Sequence, residues 1–225
     1  MKLGVISDIH SSIVALEKVL DEIEAELVVC AGDLVGYYLD PGEVIDRVKE
    51  GGITCVRGNH DDALVNWPPR NFNPVARKAL ELNREKLGNE QLSFLEQLPV
   101  RREMDVGGRK VLVVHGSPEE PYRYVYPRDV GEDFAERQGV QEMDLVVMGH
   151  THVPLVEKSG DTLVVNPGSV GQPRDGDPRA SFAVVDMESM DAEIRRVEYD
   201  VEPVVERVSD SELPASLGER LEEGR

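Results

Sequence analysis

Asp8 and His10 stand two residues apart, and so do His150 and His152; between these pairs come Gly32-Asp33, Gly58-Asn59-His60-Asp61 and His115-Gly116. Residues two apart in extended backbone point to the same side, so each pair can reach one point from a common edge. Glycine beside Asp33, Asn59, His115 and His150 lets the backbone turn sharply and approach a bound ion. Carboxylate, imidazole and amide oxygen together suit borderline divalent metals such as zinc, manganese or iron. Asp8, His10, Asp33, Asn59, His115, His150 and His152 are too many ligands for one tetrahedral ion, and fit two ions sharing a bridging carboxylate. Singly each cluster has an ordinary reading: Gly32-Asp33 is also a turn signal, and His115-Gly116 can simply end a strand. Their joint occurrence, with all five histidines of the chain inside them, points to a metal centre.

The elements that position these residues are short apolar runs rich in β-branched residues: Leu3 to Ile6, Leu27 to Cys30, Ile53 to Val56, Val111 to Val114, Leu145 to Met148, Leu163 to Val165 and Phe182 to Val185. They read as strands covered on both faces. Nearly every run leads straight into a polar cluster, and in open α/β sheets ligands gather beyond the carboxyl ends of strands. Helical spacing after Ser11-Ser12 and after Asp40-Pro41 separates the first three runs, the pattern of a parallel sheet with crossover helices. Residues 74–97 read as charged helix. From Val100 onward short strands dominate, with hairpin turns at Gly107-Gly108 and Ser159-Gly160, and one helix over Asp129 to Gln138. No Pro/Ser-rich linker divides the halves, so one domain over 1–225 built from two packed sheets is expected, with 201–225 a short helical tail folded back on it.

The chain has 225 residues, 40% of them hydrophobic, ample for a folded core. Against 44 acidic residues stand 25 basic ones, a net charge of -19, which disfavours nucleic acid and anionic lipid as partners. Cys30 and Cys55 lie inside apolar runs without a CxxC pair, so both are expected buried and reduced. Met1 leads directly into a strand, and no apolar run approaches the roughly 20 residues of a membrane helix, so a cytoplasmic protein is expected.

With DIH at 8 to 10, GDLVG at 32 to 36, GNHD at 58 to 61, HG at 115 to 116 and GHTH at 149 to 152, the sequence resembles the calcineurin-like metallophosphoesterases. The likeness runs from residue 1 to about 200. It is greatest to the small phosphodiesterase branch of archaea and bacteria, which VGYY, NPGSVGQPR at 166 to 174 and YDVE at 199 to 202 also resemble. The resemblance implies an α/β fold, a four-layer α-β-β-α sandwich of two mixed sheets face to face with helices on the outer faces. It implies two divalent ions (Mn2+, Fe2+, Zn2+ or Ni2+), one on Asp8, His10 and His152, the other on Asn59, His115 and His150, bridged by Asp33. The implied reaction is hydrolysis of a small-molecule or nucleotide-like phosphate ester, by in-line attack of a hydroxide held between the ions. His60 would stabilise the phosphoryl oxygens or protonate the leaving alkoxide.

One departure matters. In the protein-phosphatase branch the bridging aspartate is followed by a second aspartate and a phosphate-gripping arginine, whereas Asp33 is followed by Leu34-Val35-Gly36-Tyr37-Tyr38. Asp40 or Asp61 is the candidate to orient His60, and Arg174 the candidate for the arginine. Tyr37 follows Asp33 closely enough to flank the substrate. Tyr122, Tyr124 and Tyr126 either flank the metal site and stack on a nucleobase or aryl group of the substrate, or alternate as one face of an extended segment packed on the core, the reading preferred here. Trp67 and Phe72 either line the rim of the site or anchor their loop. Two alternatives use the same fold, a nuclease and a non-catalytic protein-binding scaffold.

Overall fold

The structure, a computed structural model, describes residues 1–225. Strands and helices alternate at first: β1 (Lys2–Ile6), α1 (Ile13–Glu22), β2 (Leu27–Cys30), α2 (Pro41–Glu50), β3 (Thr54–Cys55), then α3 (Asn59–Val65), α4 (Pro74–Lys86) and α5 (Asn89–Gln97). β4 (Arg101–Val106) and β5 (Arg109–Val114) follow as the hairpin around Gly107-Gly108, then α6 (Phe134–Arg137), β6 (Leu145–Val147), β7 (Leu155–Ser159), β8 (Thr162–Asn166), β9 (Ala180–Asp186) and β10 (Asp191–Val197). Two helices close the chain, α7 (Glu202–Ser209) and α8 (Ser216–Glu223).

The strands form two five-stranded sheets, ordered β10-β9-β1-β2-β3 and β4-β5-β6-β8-β7. In the first, β1, β2 and β3 are parallel and β9 and β10 antiparallel; in the second, β5, β6 and β8 are parallel between antiparallel edges β4 and β7. Alternation along the strands explains the layering. Leu3, Val5 and Val29 face Val111, Val113, Leu145 and Val147 between the sheets. Ile6, Cys30 and Phe182 face outward onto Leu16, Val44 and Ile45 of the helices. On the far side, Leu112, Val146 and Val164 pack on Phe134 and Ala135. The protein is therefore an α/β sandwich of two mixed sheets. Both cysteines are buried and free, as expected.

The outer layer of the second sheet is thinner than the sequence suggests. The expected helix over Asp129 to Gln138 reduces to a 3-10 turn at Pro127–Asp129 and the short α6, which ends at Gly139 with φ +63°. The strand β10 and the helix α3 carry no run that singled them out beforehand. β10 alternates charged and half-buried residues as an edge strand does. The tail forms two short helices, as its amphipathic spacing implies. Val204, Val208, Leu217 and Leu221 pack with Tyr38, Leu39, Ala76 and Ala79.

Candidate metal centre and adjoining cleft

All parallel strands of both sheets aim their carboxyl ends at one place, and the polar clusters meet there. Asp8, His10 and Ser11 follow β1, Asp33 follows β2, Asn59 opens α3 behind β3, His115 ends β5, and His150 and His152 follow β6. Asp8, His10, Asp33, His150 and His152 all hold left-handed backbone, with φ between 51° and 69°. Such backbone costs an L-residue roughly 1–2 kcal/mol. Its concentration here marks a site whose side chains are aimed at the expense of local stability.

Each side chain is locked from behind. Asp8 Oδ2 accepts from the Ser7 hydroxyl (2.7 Å) and the His150 backbone N–H (2.9 Å), leaving Oδ1 buried with no hydrogen-bond partner. His10 Nδ1 donates to Val35 O at 3.0 Å and His152 Nδ1 to Gln172 O at 2.5 Å. A carbonyl only accepts, so both protons sit on Nδ1 and both Nε2 atoms present lone pairs. Those two lone pairs face each other at 3.0 Å, with Asp8 Oδ1 3.3 Å from His152 Nε2 and 3.8 Å from His10 Nε2. Three acceptors so placed can hold a cation between them.

Beside this lies a second group. His115 Nδ1 donates to Ala31 O at 2.7 Å, and His115 Nε2 stands 3.0 Å from Asn59 Oδ1 and 3.3 Å from Asp33 Oδ2. Asp33, His115 and His150 bring ligand atoms within 4.8 Å of one another. Asp33 Oδ1 is taken by the His60 backbone N–H (2.8 Å), while Oδ2 lies between the groups, 3.7 Å from His10 Nε2 and 3.3 Å from His115 Nε2.

The electrostatics agree with a cation site. Burial pushes Asp8 upward, but His152 and then His115 more than offset it and hold the carboxyl far below the usual range. Asp33 behaves alike, with burial opposed by His115 and His60. Burial drives His10 well down and takes His150 to about 3. It opposes the charged form of His115 as well, but Asp33 carries that imidazole up to about 9. Two buried carboxylates among mainly neutral imidazoles form a negative centre that a bound cation can neutralise.

His60 reaches the same place, with a ring nitrogen within 4.8 Å of the Asp33 and His10 ligand atoms. Burial lowers its imidazole to about 4. Neither carboxylate expected to orient it does so, since His60 Nδ1 is buried without a partner. Asp61 instead accepts backbone N–H groups of Asp33 (2.9 Å), Leu34 (2.9 Å), Val35 (3.2 Å) and Gly58 (2.9 Å), clamping the loop that carries Asp33. Asp40 pairs with Arg207 of α7. Next to His60, Gly36 has φ +101°, and a Cβ there would lie 2.3 Å from His60 Nδ1.

Tyr37 and Arg174 meet at the rim. The Arg174 guanidinium donates to Tyr37 Oη at 3.1 Å, and the Tyr37 ring lies 4.6 Å from His10 and 4.7 Å from His60. Tyr38 points away, its hydroxyl donating to Leu217 O (3.3 Å). The segment after His115 differs from the core-packed reading. Val125 is its buried residue, whereas Tyr124 is 48% exposed and stacks on His150 at 3.9 Å and 9°. From there a cleft of about 850 Å³ runs past Asn59 and His60 to Trp67 and Phe72, so those two line the rim.

Sequence reasoning passed over the residues that hold these loops. Asn83 of α4, fully buried, accepts from the Ser11 hydroxyl and the Gly36 N–H (both 2.7 Å) and donates to Tyr38 O (2.7 Å). Ser169 donates to Asp8 O at 2.7 Å and accepts from Gln172 N–H at 2.8 Å. Asn166 donates to Gly149 O at 2.7 Å. NPGSVGQPR is thus the bracket of the GHTH loop, while Asn83 carried no signal beyond a polar residue on an apolar helix face.

The chain is similar to known proteins over most of its length. The chain is 35% identical to an uncharacterized protein of Methanocaldococcus jannaschii, over 99% of this chain and 98% of that one. It is 29% identical to phosphodiesterase YfcE of Escherichia coli, over 83% of this chain and 88% of YfcE. The crystal structure of a metallophosphoesterase from Sphaerobacter thermophilus superposes with a TM-score of 0.84 at 35% identity, covering 100% of this chain and 99% of that one. The family model for the calcineurin-like phosphoesterase superfamily domain matches residues 1–190, and the chain belongs to that superfamily.

Proposed function

We propose that the protein is a metal-dependent phosphodiesterase acting on a small-molecule phosphate ester, with two divalent ions in one catalytic domain spanning 1–225. The observation that carries this reading is the convergence of Asp8 Oδ1, His10 Nε2 and His152 Nε2, three buried acceptors 3.0–3.8 Å apart with no proton to share. Asp8, His10 and His152 would hold one ion, Asn59, His115 and His150 the other, and Asp33 both. When bound, a pair of such ions supplies Lewis-acid polarisation of the phosphoryl group and a nucleophile from water at neutral pH.

The protein's own groups do the rest. Arg174 and the Tyr37 hydroxyl bind phosphoryl oxygens at the rim. His60, neutral and with no carboxylate behind it, hydrogen-bonds the reacting phosphate through its ring N–H. Phe72 packs edge-on against His60 at 5.0 Å and shields that side from water. A nuclease fits less well, because a net charge of -19 leaves little basic surface for a polyanion. Retention of the ligand set and of His60 favours an enzyme over a scaffold.

The test is hydrolysis of bis(4-nitrophenyl) phosphate and 4-nitrophenyl phosphate by metal-free protein reloaded with manganese, nickel, zinc or iron, with Asp33→Asn as control. Turnover of the diester that needs added ion and collapses in the variant is expected. No turnover of either ester with any ion would refute the assignment.

A further inference from the structure

The cleft beside the metal centre is larger than a phosphate needs, and its wall has a chemistry of its own. About 850 Å³ opens from Asn59 and His60 outward, bounded by Trp67, Phe72 and Tyr122. Trp67 stands 37% exposed, and the Arg84 guanidinium lies 5.0 Å from its ring centroid, steadying the indole. Phe72 is fixed edge-on by His60. Planar walls held from behind favour a planar guest, since every base or aryl ring has a π-face to stack.

The polar groups among those rings narrow the guest further. Asp62 lines the cleft, and Arg57 (3.3 Å) and Asn66 (3.0 Å) both engage its Oδ1, so Oδ2 remains an acceptor. Asn66, Asn71 and Asn73 add amide donors and acceptors along the same wall. Such edges match the ring nitrogens and exocyclic amines of a nucleobase and have nothing to bond on a simple phenyl ring. Asp62 and Arg70 are the only fully charged side chains of the wall, and Asp62 is already paired with Arg57.

We infer that this cleft takes the base of a nucleoside phosphodiester, stacked on Trp67 and read by Asp62. This rests on the phosphodiesterase reading above and names its substrate class.

Binding to the ion-loaded protein tests it without turnover. Trp67 is the single tryptophan of the chain, so its fluorescence reports on stacking directly. Adenosine 5′-monophosphate, phenyl phosphate and methyl phosphate are titrated at fixed free metal, by fluorescence and by calorimetry. The monophosphate is expected to quench Trp67 and bind about tenfold or more tighter than methyl phosphate, with phenyl phosphate between them. Trp67→Ala weakens the nucleotide about tenfold and leaves methyl phosphate unchanged. Nucleotide affinity equal to that of methyl or phenyl phosphate, or no effect of Trp67→Ala, would each overturn the inference. Any of these with bis(4-nitrophenyl) phosphate still turned over leaves the phosphodiesterase reading standing; absent turnover with every ion removes that reading itself.

Discussion

Replacing Asp61 by asparagine isolates what the loop clamp contributes. The carboxylate accepts four backbone N–H groups, two on each oxygen, all between 2.9 and 3.2 Å and all buried. In Asp61→Asn one oxygen becomes an NH2 group that faces two of those donors, so two hydrogen bonds are lost and two buried N–H groups are orphaned. Each orphan costs about 1–3 kcal/mol, and together a loss of roughly 2–6 kcal/mol is expected. At about 2–4 °C per kcal/mol for a chain of this size, Tm should fall by roughly 4–24 °C. One lost partner is the N–H of Asp33 or of Leu34, so the proposed bridging carboxylate loosens as well, and metal affinity should drop about 10–100-fold. Calorimetric unfolding and metal titration read both effects. Asp62→Asn is the control: its pair with Arg57 is partly exposed, worth no more than about 1 kcal/mol. A Tm within about 2 °C of wild type for Asp61→Asn would show that the four N–H groups find other partners, and the clamp argument would fail.

Three further outcomes follow from the same geometry. Chelation should lower Tm, and readdition of manganese or zinc at about 100 times Kd should restore roughly 2.7 kcal/mol per ion; a melting curve indifferent to metal would contradict the lone-pair convergence. Gly149→Ala places a Cβ 2.0 Å from Ser7 Oγ and 2.8 Å from Asp8 Oδ2, displacing the oxygen that anchors His150. Hydrolysis should then fall more than stability does, which rate and unfolding measurements on one preparation compare. Leu221→Ala empties a fully buried position where α8 packs near Tyr38 and Leu39. Denaturant unfolding should show a loss of about 2–5 kcal/mol, and an effect under about 1 kcal/mol would mean that the tail is not part of the core.

The same residues show where reading the sequence succeeds and where it stops. The strands around Val5, Val29, Val113 and Val147 were legible because a strand covered on both faces must be apolar throughout. The clusters behind them were legible because a metal centre uses few residue types, and glycine flanks them. The helix α3 was hidden, since its first turn, Asn59-His60-Asp61-Asp62, is polar and its burial depends on Asp33 and Asp61 meeting across the loop. Tyr124 was misread for a related reason: alternation places Tyr122, Tyr124 and Tyr126 on one side, but only packing decides that Val125 takes the core.

What the sequence determined by itself is composition at a point. It supplied carboxylates, imidazoles and an amide at strand ends, the sharp turns that glycine beside Asp33, Asn59, His115 and His150 permits, and the apolar runs that build two sheets. What only the tertiary structure decided is orientation. That His10 and His152, 142 residues apart, present bare nitrogens to each other depends on the carbonyls of Val35 and Gln172 taking their other protons. That Asp61 clamps a loop instead of steering His60, and that Trp67 and Phe72 wall a cleft, likewise depends on which group lies across a gap of about 3–5 Å, within reach of a hydrogen bond or a ring contact. Local spacing determines which side a residue leaves its own strand; only the docking of one sheet on the other determines what it meets there.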